Sequence, residues 1–122
     1  MKILFADDDK VVQKIVVYNL VKYDHEVTIV ENGKEAIEEL KEEKYDLIIL
    51  DVLMPKISGF EVLEFIRKEI SNEIPVIMMS RDHHYHTIKR AKVEGANEYM
   101  TKPFTPDELY LKIKKLTGHT AG

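Results

Sequence analysis

The chain has 122 residues, 44% hydrophobic and 33% charged, which suits one folded domain with its own core and excludes both a two-domain protein and a disordered segment. Lys and Arg total 18 against 22 Asp and Glu, a net charge of −4, so no overall basic field points to direct nucleic-acid binding. The absence of cysteine removes a disulfide framework and thiol chemistry, and the apolar runs are strand-sized, so no membrane span or signal peptide is visible and a soluble, cytoplasmic protein is expected.

In chain order, short aliphatic runs alternate with segments of helical spacing. Lys2 to Ala6 reads as a strand and runs into Asp7-Asp8-Asp9. A first helix follows, with Val11, Ile15, Tyr18 and Val21 near one face. Glu26 to Val30 is the second strand, and Asn32-Gly33 opens a helix that carries Ala36, Ile37 and Leu40. Asp46 to Leu50 is the third strand and ends at Asp51. Ile57-Ser58-Gly59 then precedes a helix through Val62, Leu63, Ile66 and Ile70, which stops at Ser71-Asn72. Val76 to Met79 is the fourth strand, ending at Ser80, and the fourth helix carries Ile88, Ala91 and Val93 before Glu94-Gly95. Glu98 to Thr101 is the fifth strand and ends at Lys102-Pro103. Thr105-Pro106-Asp107-Glu108 has the form of a capping box with proline at the first helical position, opening a fifth helix through Leu109, Ile113 and Leu116.

Five strands alternating with five helices predict an α/β fold with a parallel sheet covered on both faces, and ligands collect at the carboxyl ends of such strands. Asp7-Asp8-Asp9, Asp51, Ser80 and Lys102 all fall at that edge. If Asp7, Asp8 and Asp51 converge, unit charges about 4 Å apart repel by ~1 kcal/mol in water and ~4 kcal/mol at an intermediate dielectric, so a bound cation or a raised pKa must resolve the clash. Oxygen ligands with room for water and phosphate oxygens suit Mg²⁺, with Mn²⁺ as a substitute, better than zinc. One Asp would then be a nucleophile that becomes an aspartyl phosphate, while the Lys102 ammonium and the Ser80 hydroxyl meet phosphoryl oxygens. Asp9 is expected to cap the first helix. His83, His84 and His86 with Asp82 lack the spacing of paired ligands on one helix face and read as a solvated loop and helix start.

From Lys2 to about Leu116 the sequence resembles the response-regulator receiver domains of two-component signalling, chemotaxis-type receivers included. The likeness rests on Ile3-Leu4-Phe5-Ala6-Asp7-Asp8-Asp9, Asp46 to Pro55 with Ser58-Gly59, Pro75 to Ser80, and Gly95 to Phe104, in that order. It implies a flavodoxin-like fold with strand order 2-1-3-4-5 and five helices on two faces, a receiver domain over residues 1–117, and a flexible C-terminal tail over 118–122. It also implies that Asp51 is the phosphoacceptor, that Asp7, Asp8, Asp51 and the backbone carbonyl of Leu53 hold Mg²⁺, and that Ser80 and Lys102 bind the phosphoryl group. A sensor histidine kinase or a phosphotransfer protein would donate that group, in a monomer or a phosphorylation-dependent dimer. Tyr99 matches the switch aromatic that follows Ser80, and the output would be a population shift of the surface made by the fourth helix, fifth strand and fifth helix.

The sequence departs from the family where a small residue usually follows the site hydroxyl, because Arg81 stands there, followed by Asp82. Its guanidinium could cover the acyl phosphate, contact it, or pair with Asp82. Leu53 and Asp82 match positions that tune hydrolysis, and Leu53 has no amide to position water. Arg81 is expected to alter the phosphoryl lifetime, and Leu53 and Asp82 at the tuning positions predict slow autodephosphorylation, in a protein that catalyses its own phosphoryl transfer without being a conventional enzyme. Two other readings compete. A haloacid-dehalogenase-like phosphatase would use Asp7 as nucleophile and Asp9 as acid/base, and would leave Asp51 without a task. A non-phosphorylated interaction module would keep the fold and never take phosphate.

Overall fold

The computed structural model describes residues 1–118. Its elements are β1 (Lys2–Ala6), α1 (Lys10–Lys22), β2 (Glu26–Val30), α2 (Gly33–Glu42), β3 (Leu47–Asp51), α3 (Gly59–Phe65, continued by a π-helical stretch Ile66–Ile70), β4 (Val76–Ser80), α4 (Tyr85–Val93), β5 (Glu98–Thr101) and α5 (Pro106–Thr117). All neighbouring strands pair in parallel, in the order β2-β1-β3-β4-β5. Both the expected fold class and the expected strand order are therefore present. The helix lengths are modest, and none of the described helices is long and apolar enough to cross a membrane.

The period of two along each strand divides the core. Leu4, Ala6, Ile48, Leu50, Val76 and Met78 pack with Ala36, Leu40, Val62, Leu63, Ile66 and Ala91 from α2, α3 and α4. Ile3, Phe5, Leu47, Ile49, Ile77 and Met79 pack on the other face with Val16, Leu20, Leu109 and Ile113 from α1 and α5. Every residue of β3 and β4 is buried, which is why these strands read as continuous apolar runs rather than alternating ones.

The helix starts follow their cap chemistry. Asp9 accepts from the N–H groups of Val11 and Val12, Asn32 from that of Glu35, and Thr105 from that of Glu108. Among the described residues the two-way capping box is formed at Ser58 and Glu61, whereas at Thr105 only the forward bond is made. Arg67 clamps the end of the third helical unit, donating to the carbonyls of Gly95, Ser71 and Ile74 and to Asn97 Oδ1. Gly95 sits at φ 114°, and a Cβ there would also meet the Arg67 side chain at 3.0 Å.

The first helix is turned differently from its apolar spacing. Val11, Ile15, Tyr18 and Val21 are exposed, while Gln13, Val16 and Leu20 are buried and Val12 packs against them. Apolar residues lie nearly all round this helix, so spacing alone selects no unique face, and the buried face contains a glutamine that polarity assigns to the surface. Gln13 is held there because its amide donates to the Asp7 carbonyl at 2.7 Å. Val93, placed with the buried residues of α4 by its spacing, is likewise exposed. Of the predicted tail over 118–122, Gly118 ends α5 in the left-handed region at φ 70°, and residues 119–122 lie outside the described residues.

Candidate phosphoryl and metal site

The site lies where β1, β3, β4 and β5 reach their carboxyl ends. Asp7 follows β1 directly and is fully buried; its N–H donates to Val30, and its Oδ1 accepts the N–H of Asp9 at 2.8 Å. Asp8 is exposed at the rim, and Asp9 is committed to the α1 cap. Asp51 is the last residue of β3, one position further into the strand than its sequence context indicates, and is 7% exposed. The loop after it is folded back tightly. Gly59 donates to the Val52 carbonyl, and a Cβ at Gly59 would sit 2.2 Å from the Asp51 carbonyl oxygen. Glycine there lets α3 begin directly against the site.

Lys102 joins the two buried acids. Its ammonium lies 2.5 Å from Asp7 Oδ2 and 3.0 Å from Asp51 Oδ2, and its side chain is 9% exposed. Asp51 Oδ1 accepts the N–H of Leu53 at 3.3 Å. Burial pushes the Asp51 carboxyl above its ordinary range, and the Lys102 ammonium opposes that shift. Burial also disfavours the charged form of Lys102, yet its hydrogen bond to Asp7 and the nearby Asp51 charge hold its pKa above the usual lysine value. Among the described residues, Asp7, Asp8 and Asp51 form a group whose ligand oxygens lie within 4.8 Å of one another. An all-oxygen, acid-rich set of this kind fits a hard divalent cation.

Ser80 ends β4, nearly fully buried, and its carbonyl accepts the backbone N–H of Lys102 at 2.8 Å. Ser80 and Lys102 both line the same cavity. The Ser80 Oγ accepts the N–H of Asp82 at 3.1 Å, and the buried Tyr99 hydroxyl donates to the Asp82 carbonyl at 2.5 Å. Burial raises the Tyr99 pKa, with the Ser80 hydroxyl working against it. The Asp82 carboxylate accepts from Thr87 Oγ1, the His84 N–H and the His84 ring, which hold its pKa down to about 2. The expected alternative of an Arg81–Asp82 pair is thus replaced by a local network around α4. His83, His84 and His86 are exposed at the loop and helix start, as read from the sequence. The Lys102-Pro103 bond is cis.

An open cavity of about 200 Å³ is lined by Asp7, Asp8, Asp9, Asp51, Leu53, Ser80, Arg81 and Lys102. The sequence brought forward all of these as strand-end, cap or flanking residues. It did not bring forward Gln13, which ties α1 to the Asp7 backbone, or Thr87, which fixes Asp82. Neither has a local signal, since each acts through a partner chosen by the fold.

The family model of the response regulator receiver domain matches residues 3–114. The chain is 34% identical over 116 residues to the alkaline phosphatase synthesis transcriptional regulatory protein PhoP of Bacillus subtilis, covering 94% of this chain and 48% of that protein. The chain spans about half the length of most of the curated relatives it matches. Among solved structures, the receiver domain of the Francisella response regulator 1452 superimposes with a TM-score of 0.87 at 32% identity, with 94% of each chain covered. The receiver domain of the Pseudomonas aeruginosa sensor histidine kinase PA1611, solved with a magnesium ion in its active-site cleft, superimposes with a TM-score of 0.87 at 26% identity, covering 97% of this chain and 98% of that one. Four strand ends carrying acid, acid, hydroxyl and ammonium on this topology agree with these matches, and the chain belongs to the response regulator receiver domain family of two-component systems.

Proposed function

We propose that this receiver is switched by phosphorylation of Asp51. The observation that carries the reading is the convergence of Asp7, Asp8 and Asp51 with Lys102 between the two buried acids. Asp7, Asp8, Asp51 and the Leu53 carbonyl would hold Mg²⁺, or Mn²⁺ in its place. The cation would neutralise charge on the transferred group. An Asp51 carboxylate oxygen attacks phosphorus as the bond to the imidazole nitrogen of a histidine kinase or phosphotransfer protein breaks, and the electron pair leaves with the imidazole. Lys102 and the Ser80 hydroxyl then meet the phosphoryl oxygens.

The signal leaves through Ser80. A shift of its hydroxyl toward phosphate changes the bond it shares with Asp82, whose carbonyl holds Tyr99. That chain connects the site to the surface of α4, β5 and α5, the proposed contact for a downstream partner, in a monomer or a phosphorylation-dependent dimer working in the cytoplasm. Leu53 is 72% exposed at the rim and carries no group to align water, which supports slow autodephosphorylation. The phosphatase alternative is disfavoured because Asp9 spends its carboxylate on the α1 cap and Asp51 sits at the centre of the acid group. Mapping the phosphorylated residue after incubation with acetyl phosphate and Mg²⁺ tests the proposal: label on Asp51 supports it, label on Asp7 favours the phosphatase, and no label favours the unphosphorylated module.

A further inference from the structure

Arg81 is a held backbone with an unengaged guanidinium. Of the chain's three arginines, Arg67 donates five hydrogen bonds, and Arg90 pairs with Glu94 at 2.5 Å and lies 3.9 Å from the centre of the Phe60 ring. Arg81 makes no hydrogen bond or ion pair among the described residues. Its main chain is nonetheless fixed on both sides, by Ser80 paired with Thr101 in the sheet and by the N–H of Asp82 donating to Ser80 Oγ. The neighbouring acid is engaged elsewhere, because Asp82 is taken by His84 and Thr87. The side chain lines both the acidic cavity and the adjoining groove of Val12, Ile15, Pro103 and Phe104.

Charge counting shows what such a group is suited to. Asp7, Asp8 and Asp51 with Lys102 sum to −2 (−3 + 1), and a divalent cation brings the site to 0. A phosphoryl group of about −2 in place of the single Asp51 charge returns it to about −1. One further cation at the phosphoryl oxygens completes the balance, and a guanidinium offers a planar fork for two of them.

We propose that Arg81 is a phosphoryl-binding residue that closes the mouth of the site, folding its guanidinium onto phosphorylated Asp51 and excluding the water that would hydrolyse it. This rests on the phosphorylation reading above and adds a group that the basic site does not require. In hydrolysis, a water oxygen bonds to phosphorus while the bond from phosphorus to the Asp51 oxygen breaks. The electron pair returns to the carboxylate, and the water's protons pass to solvent and the released phosphate. Both Asp51 oxygens are held from the floor of the cavity, Oδ2 by the Lys102 ammonium and Oδ1 by the Leu53 N–H, so the oxygen that leaves phosphorus departs toward that floor. In-line attack comes from the opposite side, the open rim where Arg81 is exposed. There the guanidinium holds the ground state and occupies the approach, without reaching charge that builds on the leaving carboxylate, so it slows hydrolysis.

The test compares wild type, Arg81→Ala and Arg81→Lys, each as the 122-residue chain, after acetyl phosphate and Mg²⁺, following the decay of the phosphorylated mass. Beryllofluoride affinity, read by tyrosine fluorescence, supplies a measurement independent of turnover. Arg81→Ala is expected to shorten the acyl-phosphate half-life and weaken beryllofluoride binding by about threefold to tenfold each, with Arg81→Lys between it and wild type. Urea midpoints should change little, since Arg81 is exposed and makes no hydrogen bond or ion pair among the described residues. A wild type that labels on Asp51 while Arg81→Ala keeps an equal or longer half-life overturns this inference alone. A wild type that never labels overturns the phosphorylation reading and this inference with it.

Discussion

Two charged clusters lie at opposite ends of β5, and their imbalances have opposite sign. Just past its carboxyl end, the Lys102 ammonium meets the buried carboxylates of Asp7 and Asp51. At its start, the buried carboxylate of Glu98 meets Lys92, Lys112 and Lys115 at 3.5, 3.0 and 3.4 Å. The surplus at Glu98 resides in ammonium groups whose side chains are 34–70% exposed, so water takes it up. Burial works against ionisation of Glu98, but the hydrogen bond from Lys112 and the neighbouring lysines hold its pKa below the usual glutamate value. At the other end the surplus is acidic and mostly buried, where a further cation or a proton relieves it. One cluster is complete as folded; the other is built to receive charge.

Removing the central charge should separate them most sharply. Lys102→Met leaves Asp7 and Asp51 buried without their partner, and is expected to cost about 3–5 kcal/mol in urea unfolding without metal. Mg²⁺ should then restore more stability to the variant than it adds to wild type. For wild type itself, Mg²⁺ at about a hundred times its dissociation constant should add about 2.7 kcal/mol, and Asp8→Asn should erase most of that gain. Wild-type stability that does not respond to Mg²⁺ contradicts a cation site. Gly59→Ala tests the backbone rather than the charge: its Cβ meets the Asp51 carbonyl, so a loss of about 1–3 kcal/mol is expected, together with slower phosphorylation.

Glu98→Gln should have the smallest effect, about 1 kcal/mol, with no change in phosphorylation rate. Its pH signature is specific. Because the folded pKa is depressed, the Glu98 contribution is present above the unfolded value of 4.5 and is lost as pH falls through the folded one. The wild type should therefore approach the variant in stability below pH 4.5, and parallel curves there would contradict the depressed pKa.

The same contrast explains what the sequence disclosed. Asp7, Asp51 and Ser80 each end an aliphatic run and Lys102 follows the short strand Glu98–Thr101, so local pattern and βα alternation place all four at one edge. The strand ends and helix caps were readable for the same local reason. The link between Lys102 and Asp7 spans 95 residues, and no periodicity announces it. Gln13 was hidden because its burial depends on a carbonyl outside its own helix. The face of α1 was misread because Val11, Ile15 and Tyr18 keep helical spacing yet remain exposed. Asp82 looked like part of a histidine-rich loop, and its bond to Thr87 appears only once α4 starts at Tyr85.

Intact mass after acetyl phosphate and Mg²⁺, on wild type and Asp51→Asn side by side, tests the central claim most directly. Wild type should gain one phosphoryl group, and should gain none when Mg²⁺ is chelated before the reaction; Asp51→Asn should gain none in either case. Equal labelling of the two proteins would contradict Asp51 as the acceptor.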